Sequence, residues 1–504
     1  MDQKQLLKIQ TERGAKSESF ETSVKTIETV TNECRKMIEE NSASYREQNP
    51  IEKKETIKQI IVDYVMSVKP LVKGYVDTEN RPDTLKLVDK LIEAITDYDI
   101  LTSAMMDESV FEIRSNGKEL KVEINGHIED LKDKEGNILS WESPEQQEIV
   151  MRKMLGDTRL TPKDALVSTS TIEGYRIAAV HNSATSPDPL DPTAPKFHSF
   201  VLRKFNKTKM NLGDIVQKGT LSDNMARLLA LLPAGGLTFF TVGPTASGKT
   251  TTNNAILQSV PPTTRTVLLQ NPSEIDLRFR DDTGRVYNDV LHLEAREIDN
   301  PTTADPTMQN LMNMTLRLSP TFVTLGEIRS NEEFKEAMKI LLAGHPLNTT
   351  YHAESSDGAI SRFLSAYLSA SSGEPSHLAL RTLTGLVNII IVQKIMRDGK
   401  RRIIQISEVI GTDPEDREKP LINDIYRFEI DGEPEYDAAG NVVKINGKHK
   451  RVGKISDKML RRLQLEGVAK SRFDFLLKDV NTTEREEYTG KNIDSYGMIK
   501  SSDI

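Results

Sequence analysis

The sequence predicts a multidomain α/β protein with a mostly parallel sheet. Three observations carry that expectation. Short β-rich runs alternate with helical segments from Gly236 to about Gly411, the pattern of strands layered with helices. A glycine-rich run, Gly243–Thr250, stands between one such strand and the helix after it. A length of 504 residues suits roughly three domains of ~150 residues each.

The first hundred residues read as helical. Ile57, Ile60, Ile61, Tyr64, Val65 and Val68 share one face, as do Leu87, Val88, Leu91, Ile92 and Ile95. The period then shortens to two. The runs 109–114 and 119–125 alternate around Ser115-Asn116-Gly117-Lys118, and Asn-Gly between alternating runs is a hairpin signal. Leu160–His181 mixes helix and strand, and the proline-rich stretch Ser183–Lys196 reads as an extended linker. A strand over Ser199–Phe205 and a helix over Asp223–Leu232 follow. The β-rich runs are then Leu237–Val242, Arg265–Leu269, Phe322–Leu325 and Leu347–Tyr351. A hairpin of Val387–Met396 and Arg401–Ile410 turns at Asp398-Gly399. Beyond Gly411 the chain is charged and turn-rich, with a hairpin-like stretch over Tyr426–Ile445 and a helix over Asp457–Leu465. The expected division is a helical extension 1–100, an α/β domain 101–205, a phosphate-loop domain 206–411 and a charged extension 412–504.

Composition narrows the function. The net charge is −8, which argues against a sequence-independent nucleic-acid binder, since that would carry a basic footprint. Cys34 is the single cysteine, so an intrachain disulfide and a cysteine zinc cluster are excluded. The first residues lack an apolar signal core, and no run of about 18 apolar residues occurs. The expectation is a cytoplasmic protein.

Gly243-Pro244-Thr245-Ala246-Ser247-Gly248-Lys249-Thr250 matches G-x-x-x-x-G-K-[ST], with Thr251 continuing into the helix. Glycines let backbone N–H groups curl around a phosphate, and the helix N-terminus adds partial positive charge. Lys249 suits the β- and γ-phosphates, and the Thr250 hydroxyl suits Mg²⁺. ATP and Mg²⁺ are the implied ligands. Such a site needs a carboxylate at the end of a neighbouring strand. Glu327 after Phe322–Leu325 is the candidate, as a second Mg²⁺ group or as the group that orients water. His345 and His352 follow at a spacing of seven. With one cysteine and no carboxylate between them, a zinc pair is disfavoured; they read as polar groups near the γ-phosphate or as structural histidines.

The order of the phosphate loop, Gly326-Glu327-Ile328-Arg329 and Gly344-His345…His352-Ala353 resembles the ATPases of type II and type IV secretion and of type IV pili. Within them it looks most like the CpaF (TadA) branch, near the conjugation ATPases. Segments 107–129, 174–177, 201–205 and 447–473 extend the resemblance to roughly residues 100–475. It implies an N-terminal α/β domain joined to a RecA-like motor, with six copies in a ring hydrolysing ATP between the lobes. It also implies that Arg176 and Arg203 contact nucleotide phosphates, and that Arg317 lies near the γ-phosphate. Taken alone, each arginine also suits an ordinary ion pair.

One segment departs from that pattern. The family's Ile-Glu-Asp box reads Leu269-Gln270-Asn271 here, with Glu274 keeping the later acid. An amide can hold a water but cannot take its proton. Hydrolysis is therefore expected to be slow, or to use Glu327 or Glu274 as base. A family arginine just upstream of the Phe322–Leu325 strand is replaced at Gln309. The expected function is an ATP-driven motor on the cytoplasmic face of a secretion, conjugation or pilus machine. It would sit peripherally on the membrane through inner-membrane platform proteins and contact no nucleic acid directly. A nucleotide-binding ring subunit with weak hydrolysis, serving as switch or scaffold, is the alternative. A DNA translocase is the third reading, and the acidic balance opposes it.

Overall fold

The computed structural model describes residues 25–490, except 42–49, 77–81, 125–126, 157, 187–190, 192, 205–209, 272–273, 282, 296–301, 303–304, 372, 439, 479 and 481–485. The expected breaker at Asp77–Asp83, the linker's central prolines, Phe205, Pro272 and Ser273 fall wholly or partly outside that set. The chain divides into two compact units, 1–207 and 208–504.

Among the described residues the first unit opens with three helices, α1 (Ile27–Glu40), α2 (Pro50–Val68) and α3 (Thr84–Thr96). Their apolar faces meet in a core of their own, with Val30, Ile38, Ile57, Ile61, Val65, Leu87 and Leu91 buried. Asp83 caps α3 by accepting from Lys86 N, which satisfies one orphan donor of the first turn. After a short helix α4 (Thr102–Met106) come β1 (Val110–Asn116), β2 (Glu119–Ile124) and β3 (His127–Asp130). Helix α5 (Pro144–Leu155), β4 (Leu166–Ser170), β5 (Arg176–Val180) and β6 (Ser199–Arg203) complete the unit. The strands form a six-stranded sheet in the order β3-β2-β1-β6-β5-β4, antiparallel throughout. Gly117, at φ +71, supplies the left-handed step of the β1–β2 turn. Trp141 fills the core under this sheet, and its indole N–H donates to Ser115 Oγ at 2.9 Å.

The second unit opens with α6 (Leu212–Gln217) and α7 (Asp223–Ala234), then alternates. In order come β7 (Phe239–Val242), α8 (Lys249–Leu257), β8 (Thr266–Gln270), β9 (Val290–Glu294), α9 (Met308–Thr315) and β10 (Phe322–Leu325). Then follow α10 (Asn331–Leu342), β11 (Leu347–Tyr351), α11 (Ser356–Ala370), α12 (Ser376–Leu386), β12 (Ile389–Ile395) and β13 (Arg401–Thr412). The parallel strands run in the order β12-β7-β11-β10-β8-β9. β7, β8, β10 and β11 are buried along their whole length, as strands covered on both faces must be. Successive side chains part to opposite faces. Phe239, Leu268, Phe322 and Ile389 join α6–α8, whereas Phe240, Val267, Val323 and Ile390 join α9–α12.

Two strands differ from expectation. β9 adds an unforeseen edge to the parallel sheet beside β8. The sheet also runs across Gly411: β13 continues to Thr412, β14 (Pro420–Ile430) pairs with it, and β17 (Gly447–Arg451) pairs with β14. Between them lies a small hairpin of β15 (Glu435–Tyr436) and β16 (Val442–Lys444). The final helix α13 (Asp457–Leu465) packs Met459 and Leu463 into the α6–α8 core. The segment beyond 411 is thus continuous with the parallel sheet of the second unit. Among the described residues no helix is long and apolar enough to cross a membrane.

Candidate functional site

The turn from β7 into α8 is bent as a phosphate cradle must be. Gly243, Ala246 and Gly248 have φ of +154°, +62° and +88°, so three left-handed residues fall within six positions. Only glycine fits at 243, because a Cβ there would lie 1.9 Å from Gln393 O. Lys249 is buried, and its Nζ donates to Gly243 O at 3.0 Å and Pro244 O at 2.9 Å, folded across the mouth of the loop. Burial pushes the Lys249 pKa down, and the charge of Glu327 works against that shift. The Ser247 hydroxyl is fully buried without a hydrogen-bond partner. A backbone nest, an ammonium group at its mouth and an unpartnered hydroxyl fit a polyphosphate, and Thr250 at the helix start suits Mg²⁺.

Glu327 follows β10, which is separated from β7 by β11. The carboxylate strand is therefore one removed from the loop strand, about 10 Å away at ~4.8 Å per strand, rather than its neighbour. The Gly326 N–H donates to Leu269 O and the Ile328 N–H to Thr350 O, which fixes this strand end between β8 and β11. Glu327 Oε1 lies 3.3 Å from His352 Nε2, and Oε2 accepts from Arg329 Nε at 2.9 Å. His352 Nδ1 is 3.1 Å from Gly243 O. His352 thus links the carboxylate to the first residue of the cradle. Below them Asn253 and Asn348 exchange hydrogen bonds at 2.7 and 2.8 Å, tying α8 to β11.

Other expected residues lie elsewhere. His345 precedes β11 and His352 follows it, so a five-residue strand, about 16 Å long, parts them. His345 is on the sheet edge opposite the loop, which corrects its expected place near the γ-phosphate. Arg317 lies toward that same edge of the sheet. It lies exposed in the turn before β10, beside Leu318, whose carbonyl faces Arg265 at the start of β8. A phosphate in its own cradle is beyond its reach. In the first unit Arg176 and Arg203 are register partners on β5 and β6. Arg203 donates Nε and Nη2 to Glu112 Oε2 at 3.1 and 3.0 Å.

The amide box has a structural role. Gln270 is buried; its Oε1 accepts from Glu274 N at 2.9 Å and Ile275 N at 2.6 Å, and its Nε2 donates to Ile275 O at 2.8 Å. Glutamate cannot make that last bond and would set two acceptors against each other in a buried position. Gln270→Glu is therefore expected to cost about 2 kcal/mol and to lower Tm by about 5 °C, read by thermal melting. An unchanged Tm with faster turnover would show that the amide serves rate control instead. Glu274 is exposed on the loop that Gln270 pins.

Sequence reasoning missed Arg329, Asn253, Asn348, Gln393 and Arg401. Two of them carried a signal: Arg329 closes the Gly326-Glu327-Ile328-Arg329 run, and Asn253 is four residues beyond Lys249 and so on the same helix face.

Residues 190–419 match the family described as "Type II/IV secretion system protein". An uncharacterized protein of Methanocaldococcus jannaschii is 28% identical over 248 residues, covering 49% of this chain and 40% of that protein. The type IV secretion system protein PtlH of Bordetella pertussis is 26% identical over 269 residues, covering 50% of this chain and 76% of PtlH. The chain thus spans less than half the length of the first of these relatives. Among solved structures, the ATPase DotB of Legionella pneumophila is 20% identical with a TM-score of 0.42, covering 63% of this chain and 81% of DotB. The segment 190–419 that matches this family is the one that carries the phosphate loop, Glu327 and both histidines.

Proposed function

We propose that the chain is an ATP-hydrolysing motor subunit that works as a homo-hexamer. Its place is the cytoplasmic face of a type IV secretion, conjugation or Tad-like pilus machine, where it engages inner-membrane platform proteins. The observation that carries this reading is the convergence of the cradle, Lys249, His352 and Glu327 at one edge of the parallel sheet. Lys249 would leave the Gly243 and Pro244 carbonyls to hold the β- and γ-phosphates. A magnesium ion held by Thr250, with Glu327 nearby, would neutralise charge across those phosphates. Glu327 would take the proton of a water whose oxygen attacks the γ-phosphorus. The bond to the β–γ bridging oxygen breaks, giving ADP and phosphate. His352, already against Gly243 O, would move with the loop and so tell the Glu327 strand end whether the cradle is filled. Arg176 and Arg203 are proposed phosphate contacts, Arg203 by exchanging Glu112 for a phosphate. Arg317, out of reach of its own cradle, would serve only a neighbouring copy.

A second reading has a specific observation behind it. Gln270 and Asn271 stand where the family carries acids, which favours a ring subunit that binds nucleotide, hydrolyses it weakly and acts as a switch. Light scattering with Mg·ATP, read beside phosphate release, separates the two. A particle of about 340 kDa, six copies of the 56.6 kDa chain, with steady turnover supports the motor. The same particle without turnover supports the switch, and a monomer in saturating nucleotide contradicts both.

A further inference from the structure

The loop strand β7 has β11 on one side and β12 on the other. Glu327 and His352 occupy the β11 side. A nucleotide whose terminal phosphate faces them must extend its nucleoside toward β12. On that side the β12–β13 hairpin overhangs the cradle. Gln393 O crowds Gly243, and Gln393 Nε2 and Arg401 Cδ each lie 3.0 Å from where a Gly248 Cβ would be. Arg401 Nε donates to Ala246 O at 3.0 Å, at the left-handed step of the loop. Gln393 is 1% exposed, and its Oε1 has no hydrogen-bond partner. The turn that carries Arg401 is firmly anchored. Arg402 donates Nη1 and Nη2 to Asp398 at 2.9 and 2.7 Å, and Ile445 N donates to the same carboxylate at 3.0 Å.

We propose that Arg401 is a nucleotide-binding residue that takes the α-phosphate end of the bound nucleotide, with Gln393 completing the wall beside Gly248. This inference rests on the ATP-binding reading of the cradle. Lys249 serves the terminal phosphates and Arg401 the end that continues into the nucleoside. Planar guanidinium donors suit a phosphate better than an ammonium does.

The test is calorimetric titration of the full chain with Mg·ADP and, separately, with Mg·pyrophosphate, which fills only the two terminal positions that Lys249 serves, for wild type, Arg401→Ala, Arg401→Lys and Lys249→Ala. Expected for Arg401→Ala is about a tenfold weaker ADP affinity, with pyrophosphate within twofold of wild type. Arg401→Lys should weaken ADP about threefold and carries the test should the alanine variant fail to fold. Equal losses for both ligands would overturn the proposal, since Arg401 would then only brace the loop. No loss for either would also overturn it. Failure of the underlying reading looks different: wild type would bind neither ligand, or Lys249→Ala would bind both unchanged.

Discussion

Replacing Lys249 with alanine is expected to lower kcat/KM for ATP by a factor of about a thousand, corresponding to about 4 kcal/mol of transition-state stabilisation. The size follows from its setting. Lys249 is buried at the mouth of the cradle, where a charge acts with little water to weaken it. Its present partners are two neutral carbonyls, Gly243 O and Pro244 O, so a phosphate is a better partner than any it has. The fold should tolerate the change. Burial already penalises the charged lysine, and its loss frees two carbonyls beside exposed Pro244 and Thr245. Phosphate release against ATP concentration, with a thermal melt as control, gives both numbers. A variant that hydrolyses ATP within tenfold of wild type would remove Lys249 from the chemistry.

Glu327→Gln is expected to cut kcat by two to three orders of magnitude, a typical contribution for a lost general base and its charge, while ATP binding stays within a few-fold. Glutamine still accepts from Arg329, so the strand end keeps its shape. What disappears is the proton acceptor and the negative charge that props up Lys249. The sign of the second effect can be worked out. Burial depresses the Lys249 pKa and Glu327 counters it, so removing Glu327 depresses it further. The protonated form of Lys249 dominates below its pKa, so nucleotide binding by the variant should fail at a lower alkaline pH than in wild type. Glu274→Gln serves as comparison. That side chain is exposed on a loop beyond β8, three strands from the cradle strand, and its loss should change kcat less than threefold. A larger effect at Glu274 than at Glu327 would exchange their roles.

The second unit's parallel strands were legible because full burial writes them as continuous apolar runs, Leu237–Val242 and Phe322–Leu325 among them. β9 and β17 were not. VLHLE is only half buried at a sheet edge, and GKHKR carries three lysine or arginine side chains in five residues. Edge strands tolerate such charge, so neither reads as a strand. The loop itself was plain, since its chemistry demands its residue types at fixed spacing. Residues such as Arg401 and Gln393 reach it from 150 positions away in sequence through strand order, which no local spacing records. The places of Arg317 and His345 follow from strand polarity. In a parallel sheet the residue before a strand and the residue after it lie on opposite edges. Both precede their strands and so lie across the sheet from this chain's own cradle. The acids missing at Gln270 and Asn271 were visible at once. That the Gln270 amide staples Glu274 and Ile275 was not, because it depends on a loop conformation.

The most direct measurement is steady-state phosphate release by the full wild-type chain with Mg·ATP, beside Lys249→Ala under the same conditions. Expected is turnover on the order of 0.1–10 s⁻¹, within or just below the range common for enzymes, and at least a hundredfold above the variant. Wild-type release no faster than that of Lys249→Ala would contradict hydrolysis at this cradle and leave the chain a nucleotide-binding ring subunit at most.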